Sequence, residues 1–124
     1  MRPAEANGPP PSLFDVVHRA VEVTDPSGAF GVGDLLTYVE DNDEPVTAHA
    51  NIEDDLAELK GRVDPQDEDP AVMMAIAVAT YLAFRRDEMD DDPGDILRLA
   101  ARAEFNGSPP DNLREWLDAQ GVPV

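Results

Sequence analysis

The residues best suited to acid–base chemistry are the two histidines of the chain, because each has carboxylates at helical spacing. His18 follows Asp15 by three positions and precedes Glu22 by four, and His49 precedes Glu53 by four. An imidazole and a carboxylate on one helical face could form an acid–base pair or half of a metal site. Acidic residues occur throughout this sequence, however, and neither histidine lies in a nucleophile motif. We therefore interpret both as surface residues and predict a non-enzymatic protein with no catalytic residue.

The acidic stretch 87–95 could supply the oxygen ligands that calcium prefers. Glu88, Asp90 and Asp92 alternate as in an EF-hand loop, but Gly94 comes one position late and no glutamate closes the loop. We favour a solvated turn between helices and predict no metal site. A weak cation site remains the alternative, with the ligands Asp90, Asp91, Asp92 and Asp95.

Three closely spaced glycines could form a phosphate-binding loop ahead of a helix: Gly28, Gly31 and Gly33. Their order matches neither the P-loop nor the dinucleotide fingerprint, no strand precedes them, and no lysine follows them. We interpret this segment as a loop between helices and predict no cofactor.

The segment 33–63 has a pattern known from DNA-binding proteins. Two leucines fall in one predicted helix, 45–47 forms a turn, and the next helix has one apolar side, made of Ile52, Leu56, Leu59 and Val63. In this pattern the segment resembles the second and third helices of winged-helix proteins, and the resemblance implies a transcription regulator as the alternative function. Four acids would then face the DNA phosphates and be repelled, namely Glu53, Asp54, Asp55 and Glu58. An acidic loop and an apolar helix also follow where a wing hairpin is expected. We therefore disfavour direct nucleic-acid binding.

Apolar residues at helical spacing, preceded by capping residues, predict an all-α fold of five to six short helices. The first five should cover about 12–23, 32–41, 47 or 51 to 62, 70–86 and 92–105. A sixth should follow from Ser108-Pro109-Pro110-Asp111, with Ser108 as its cap and an acid three residues later, and end at Gly121. Ser12, Asp69 and Asp92 are predicted caps, and Pro70 and Pro93 suit the first helical position. For the first helix, we expect an apolar stripe of Leu13, Phe14, Val17, Ala20 and Val21.

The run from Ala71 to Phe84 contains no charged residue and predicts a central helix, about 70–86, around which the others pack. At about 1.5 Å per residue, its 14 residues span about 21 Å, which is shorter than the roughly 30 Å apolar core of a bilayer. We therefore predict burial within the protein and no membrane insertion.

The overall composition predicts one acidic domain. The chain of 124 residues has 27 acidic and 9 basic residues, a net charge of −18 and no cysteine. Residues 1–63 and 64–124 each carry −9. We expect a flexible Pro-rich arm over 1–11 and one helical domain over 12–124. The arm lacks the apolar segment of a secretory signal, which favours a cytoplasmic location. A halophilic host and a GC-rich genome both remain explanations of the acidity.

Because these patterns disfavour the chemistries above, we predict a protein-interaction module, such as an adaptor, assembly or regulatory component. Its acidic surface would favour a basic protein partner. The predicted contact residues are Asp90, Asp91, Asp92 and Trp116. Trp116 shares its helical face with Leu113 and Leu117, so the same pattern also fits a core position. The sequence leaves the oligomeric state open.

Overall fold

The computed structural model describes residues 11–41, 44–48, 51–66, 68–106 and 108–122. Within these ranges the chain forms six α-helices and no strand, which confirms the all-α prediction. The helices are α1 (Leu13–Thr24), α2 (Asp34–Val39), α3 (Ile52–Val63), α4 (Pro70–Phe84), α5 (Pro93–Phe105) and α6 (Asp111–Ala119). Short 3-10 turns lie at Val46–Ala48 and Arg86–Glu88. The predicted arm over 1–11 lies outside the described residues, apart from Pro11.

Helix α4 is the centre of the bundle, as its lack of charge predicts. It packs against α1, α3, α5 and α6. Ten of its fifteen residues are buried, and they include Met74, Val78 and Leu82. Burying this much apolar surface is the main stabilising contribution to such a fold. The helix ends at Phe84, slightly before the predicted residue 86, because Arg85 adopts a non-helical backbone (φ −124°, ψ 60°).

Local capping explains where three of the helices begin. Ser12 and Asp15 form a reciprocal capping box, in which each side chain accepts the other residue's backbone N–H at 3.0 Å. The Asp69 carboxylate accepts the N–H of Ala71 at 3.0 Å, and the Asp92 carboxylate accepts that of Gly94 at 3.0 Å. All three predicted caps are confirmed, and a proline follows each aspartate at the first helical position.

The predicted cap of α6 is wrong. The helix begins at Asp111, and Pro110 precedes it without a side-chain cap. A residue before proline is disfavoured in the helical conformation, so the two consecutive prolines keep Ser108 and Pro109 outside the helix. The predicted stop at Gly121 is confirmed, because this glycine has a φ of +80° and Val122 N–H donates to the carbonyl of Leu117 at 2.9 Å.

Helices α1 and α2 differ in detail from the sequence prediction. In α1, Val16 and Val23 are buried, whereas the predicted stripe residues Phe14 and Val21 are half-buried. Helix α2 covers only Asp34–Val39, shorter than the predicted 32–41. Val32 is buried in the loop before α2, and its N–H donates to a carboxylate oxygen of Asp25.

Two buried aspartates organise the loops that follow α1 and α3. Asp25 is 4% exposed, and its two oxygens accept the backbone N–H groups of Phe30 and Val32, each at 3.1 Å. Asp64 is 8% exposed, and its oxygens accept those of Glu68 at 3.1 Å and Asp69 at 3.0 Å. Each aspartate ends a helix and precedes a proline. The two carboxylates therefore accept hydrogen bonds from loop N–H groups that no helix or strand pairs.

Two long-range contacts join distant parts of the chain. At the start of α1, Leu13 N–H donates to the carbonyl of Glu44 at 3.2 Å and Val46 N–H donates to that of Pro11 at 2.9 Å. In the middle of α1, the Arg19 guanidinium donates to two carbonyls of the turn before α5. Its Nε lies 2.7 Å from the Met89 oxygen, and its Nη2 lies 2.9 Å from the Asp91 oxygen.

Candidate functional site

One side of α4 is only partly covered by the other helices and forms the floor of a groove. Helices α3 and α5 both pack extensively on α4 but make far less contact with each other, which leaves the groove between them. We call this surface the α4 groove. Its floor consists of Met73, Ile76, Ala77, Thr80, Tyr81 and Phe84. Phe84 is 59% exposed, the largest exposed fraction of any large apolar side chain among the described residues.

The α4 groove contains three adjoining depressions. The first, of about 330 Å³, lies over Met73 and Ile76, and the second, of about 310 Å³, lies over Tyr81 and Phe84. The third, of about 370 Å³, continues past Phe84 toward the start of α3. Glu53 lines all three. The depressions therefore form one continuous surface along α4.

Charged side chains of the α4 groove are ordered along its length. Glu53 and Asp54 of α3 and Glu104 of α5 lie along its walls. Lys60 lines the groove where Met73 lies, while Arg85 and Arg86 line the part beside Phe84. The middle of the groove, where the first two depressions overlap, is thus acidic, and each end has a basic residue, although Glu53 and Asp54 also line the end beside Arg86.

The acidic middle is electrostatically strained. Desolvation raises the pKa of Glu104 above its ordinary value, the negative charge of Glu53 raises it further, and Lys60 opposes both effects. A raised pKa means that folding disfavours the charged carboxylate. This cost is absent below the pKa of the unfolded chain and is complete above the pKa of the folded protein. A cation bound between Glu53 and Glu104 would relieve it.

Tyr81 fixes the end of the groove near Phe84. Its hydroxyl donates to Oε1 of Glu88 at 2.6 Å, which ties α4 to the turn that follows it. Desolvation, followed by this hydrogen bond and the charge of Glu88, raises the pKa of Tyr81 to about 12. Arg86 Nη1 donates to the Ala83 carbonyl at 3.2 Å, where a positive charge suits the carboxyl end of a helix.

The three predicted contact aspartates lie on the turn between α4 and α5, and their environments differ. Asp90 and Asp91 are exposed, and the backbone carbonyl of Asp91 is held by Arg19. Asp92 is also exposed, but its carboxylate caps α5 through Gly94 and Asp95. The carboxylates of Asp90 and Asp91, unlike that of Asp92, therefore take no part in capping α5.

Trp116, the fourth predicted contact residue, lies in the core. Its side chain is 8% exposed and meets the Phe30 ring edge-on, with 5.8 Å between the ring centroids. Its neighbours in α6, Leu113 and Leu117, are fully buried. The indole Nε1 is buried without a hydrogen-bond partner among the described atoms. Trp116 therefore occupies the core position that its sequence pattern also fitted. It does not form one surface with the three aspartates.

The histidine clusters give no catalytic arrangement within the described chain. His18 is about half exposed on α1; its Nδ1 lies 3.8 Å from Glu22 Oε1, and its ring is tilted against Phe14. His49 lies outside the described residues. Among the residues that the structure describes, no group of three or more histidines and carboxylates could hold a metal ion.

The winged-helix-like segment forms two helices, α2 and α3, that pack against each other. The described exposed face of α3 includes the four acids noted in the sequence: Glu53, Asp54, Asp55 and Glu58. In the described part of 64–84, the chain forms a loop organised by Asp64 and then α4, with no hairpin. The acids of α3 therefore face solvent and the α4 groove.

Sequence reasoning missed the α4 groove. The signal was present in α3, whose single narrow apolar side cannot cover a helix that is apolar all round. Two aromatic residues at the end of the uncharged run, Tyr81 and Phe84, gave a second signal. Locating the groove also required knowing that Glu53 and Glu104, fifty-one positions apart, line the same surface.

Comparisons of the chain with protein-family models, curated proteins and solved structures gave no match. Within the described part of the chain, none of the helices combines the length and apolar character needed to cross a bilayer.

Proposed function

We propose that this protein is a non-enzymatic interaction module that binds a basic protein partner through the α4 groove. The observation that carries the proposal is the partly exposed strip of the central helix, with the exposed Phe84 at one end and carboxylates along its walls. Exposed apolar surface bordered by polar residues is typical of protein-binding sites. An adaptor, an assembly component and a regulatory component would all use such a surface.

The charge distribution supports a basic partner. A net charge of −18 attracts positively charged proteins over long distances and repels acidic ones. The groove adds short-range selectivity, because Glu53, Asp54 and Glu104 surround its middle. Asp90 and Asp91 would contribute to attraction at longer range, in keeping with their exposure on the turn before α5.

The chemistry of the groove favours binding over catalysis. Its described lining contains carboxylates, two threonine hydroxyls, an asparagine amide, a phenol and basic groups, but no histidine. The Thr80 hydroxyl donates to the Ile76 carbonyl at 2.9 Å, and the raised pKa of Tyr81 keeps its phenol neutral. Tyr81 does contact a carboxylate, Glu88, but the raised pKa of its phenol makes it a poor nucleophile near neutral pH, which disfavours covalent catalysis.

A comparative pull-down from a lysate of the source organism tests the proposal. Phe84→Ser and Glu104→Lys alter the groove, and both change exposed residues. Tyr38→Ser and Glu115→Lys make the same changes on other exposed surfaces and serve as matched controls. We expect one partner to be retained by the wild-type protein and both controls and lost by both groove variants. Equal retention by all five proteins would contradict the use of the groove.

The transcription-regulator alternative draws support from the packing of α2 against α3, the arrangement that the resemblance requires. The acids of α3 weigh against it, because phosphate contacts supply most of the affinity of proteins for non-specific DNA. A gel-retardation assay with random duplex DNA in low and molar salt compares the two functions. Saturable binding in either condition would favour the regulator over the interaction module.

We further propose a halophilic host as one origin of the acidity, with a GC-rich genome as its alternative. In a salt-adapted protein, the melting temperature should rise steeply between about 0.1 and about 2 M KCl, because screening removes repulsion among surface carboxylates. Thermal unfolding followed by circular dichroism measures this rise. A flat curve would favour codon bias.

A further inference from the structure

We propose that the occupant of the α4 groove is an amphipathic α-helix of about three turns that places a basic residue, preferably arginine, between Glu53 and Glu104. This inference rests on the proposed function and specifies the partner's form. The backbone chemistry, length and charge of the groove each favour this occupant.

The walls of the groove favour a helix over an extended peptide. An extended peptide needs backbone donors and acceptors on its receptor, as at the exposed edge of a sheet. The apolar floor of the groove consists of α4 side chains between Met73 and Phe84, and the interior N–H and C=O groups of this helix are bonded within it. The hydroxyl of Thr80 already donates to its own helix. A helical peptide pairs its own backbone N–H and C=O groups, so it can cover this apolar floor without leaving buried polar groups unpaired.

The length of the floor sets the size of the helix. Met73 and Phe84 mark the two ends of the apolar floor on α4. At about 1.5 Å per residue, the eleven steps between them correspond to about 16 Å, or about three helical turns. The partner would meet this floor with apolar residues at positions i, i+3 or i+4, and i+7.

The order of charges places the cation in the middle turn of the partner. Lys60 lines the Met73 end of the groove, and Arg85 and Arg86 line the Phe84 end, so a cation of the partner is less favoured at either end than in the middle. Glu53 and Glu104 both line the middle, beside Ala77 and Thr80, where the first two depressions overlap. Desolvation and then the charge of Glu53 raise the pKa of Glu104 while Lys60 opposes them, and a partner's cation would offset the like-charge effect. A planar guanidinium can donate to two carboxylates at once, which favours arginine over lysine.

A second copy of this chain is a poor occupant. Two copies would each bring a net charge of −18, and a shared two-fold interface would bring the carboxylates at the middle of both grooves together. Such a contact is repulsive unless basic residues intervene. The charge pattern therefore favours a basic helix from a different protein.

Selection from a display library of random 14-residue peptides tests this inference without knowledge of the natural partner. The full-length protein is the target, and binders that also recognise Phe84→Ser are removed. We expect the enriched peptides to combine helically spaced apolar residues with a basic residue in the middle turn. A synthetic copy of the best peptide should become helical on binding, as measured by NMR of the labelled peptide.

Variants of the protein and of the peptide then test the role of each feature. Glu104→Gln should weaken the selected peptide by about tenfold, the usual effect of losing a hydrogen bond to a charged group. Glu115→Gln, an exposed control on α6, should leave the affinity unchanged. A proline in the peptide's middle turn should weaken binding by at least about tenfold, because it breaks the helix. Circular dichroism verifies that each protein variant is folded, and Glu104→Lys replaces Phe84→Ser in the selection if the latter is not.

The outcomes separate this inference from the proposed function. Enriched peptides that bind in an extended form, or helices without a central basic residue, would overturn the inference while leaving the groove as a docking site. A dimer in sedimentation experiments that Phe84→Ser abolishes would overturn it in favour of a second copy. If all peptides recognise Phe84→Ser equally well, both the inference and the proposed use of the groove fail.

Discussion

The loops after α1 and α3 and the turn before α5 all contain aspartate, but they use it differently. Asp25 and Asp64 are buried, and each accepts two backbone N–H groups. Asp90 and Asp91 are exposed on a turn that is held by its backbone carbonyls and the guanidinium of Arg19. The same side chain therefore organises the fold in one setting and contributes surface charge in the other. Net charge alone does not distinguish these two roles.

The strongest test of this comparison is Asp25→Ala. The substitution leaves the N–H groups of Phe30 and Val32 without their acceptor, and that of Val32 is buried. We expect the free energy of unfolding to fall by about 3 kcal/mol, since each unsatisfied buried donor costs about 1–3 kcal/mol. Urea unfolding followed by circular dichroism measures the change. A cost no larger than that of Asp90→Ala would remove the distinction between buried and exposed aspartates.

A smaller loss is expected for Asp64→Ala. Its two donors, the N–H groups of Glu68 and Asp69, are only partly buried, so water can replace the lost oxygens in part. The free energy of unfolding should decrease by about 2 kcal/mol in the same urea experiment. Asp64→Asn retains one acceptor oxygen and should lie between Asp64→Ala and the wild type. The reverse order of these two variants would contradict the role given to the carboxylate.

Tyr81→Phe tests the role of Glu88, an acidic residue of the turn after α4 whose carboxylate accepts a hydrogen bond from Tyr81. Loss of the hydrogen bond to Glu88 should cost about 1 kcal/mol near neutral pH. Because the pKa of Tyr81 is raised to about 12 from its ordinary value of 10.0, this stabilisation is complete below pH 10 and is lost as the pH rises through 12. The stability difference between wild type and variant, measured in urea from pH 7 to 12, should therefore shrink above pH 10. A constant difference would exclude this linkage.

The smallest effect is expected for the double substitution Asp90→Asn and Asp91→Asn. Removing two exposed charges from a chain of net charge −18 reduces repulsion and should stabilise the fold by up to about 0.5 kcal/mol in low salt. In about 2 M KCl, screening should abolish the gain. Unfolding in urea at both salt concentrations provides the measurement. A loss of more than about 1 kcal/mol would show that these carboxylates have structural partners like those of Asp25.

Local features were the most predictable part of the fold. Ser12 with Asp15, Asp69 with Pro70, and Asp92 with Pro93 act within a few residues, so the sequence was sufficient to place the starts of α1, α4 and α5. The start of α6 was missed because two prolines delay the helix beyond Ser108. In each case the outcome depends on the backbone preferences of neighbouring residues.

Features that depend on distant residues were not predictable in this way. The sequence indicated a turn after α1, but not that Asp25 would be buried beneath it with Val32. The α4 groove likewise depends on how α3 and α5 pack on α4, which no local pattern specifies. The Trp116 pattern fitted both a contact surface and the core, and only the packing beside Phe30 distinguishes them.

The contact between Arg19 and the turn before α5 has a consequence for how the molecule tolerates change. The Arg19 guanidinium holds the backbone carbonyls of Met89 and Asp91 in this acidic turn without neutralising a carboxylate there. Lysine at this position would keep the charge but lose the forked geometry that reaches both oxygens. The helices could remain packed while this segment became free to sample other directions. Arg19 thus makes α1 a rigid reference for the direction of the turn that carries Asp90 and Asp91.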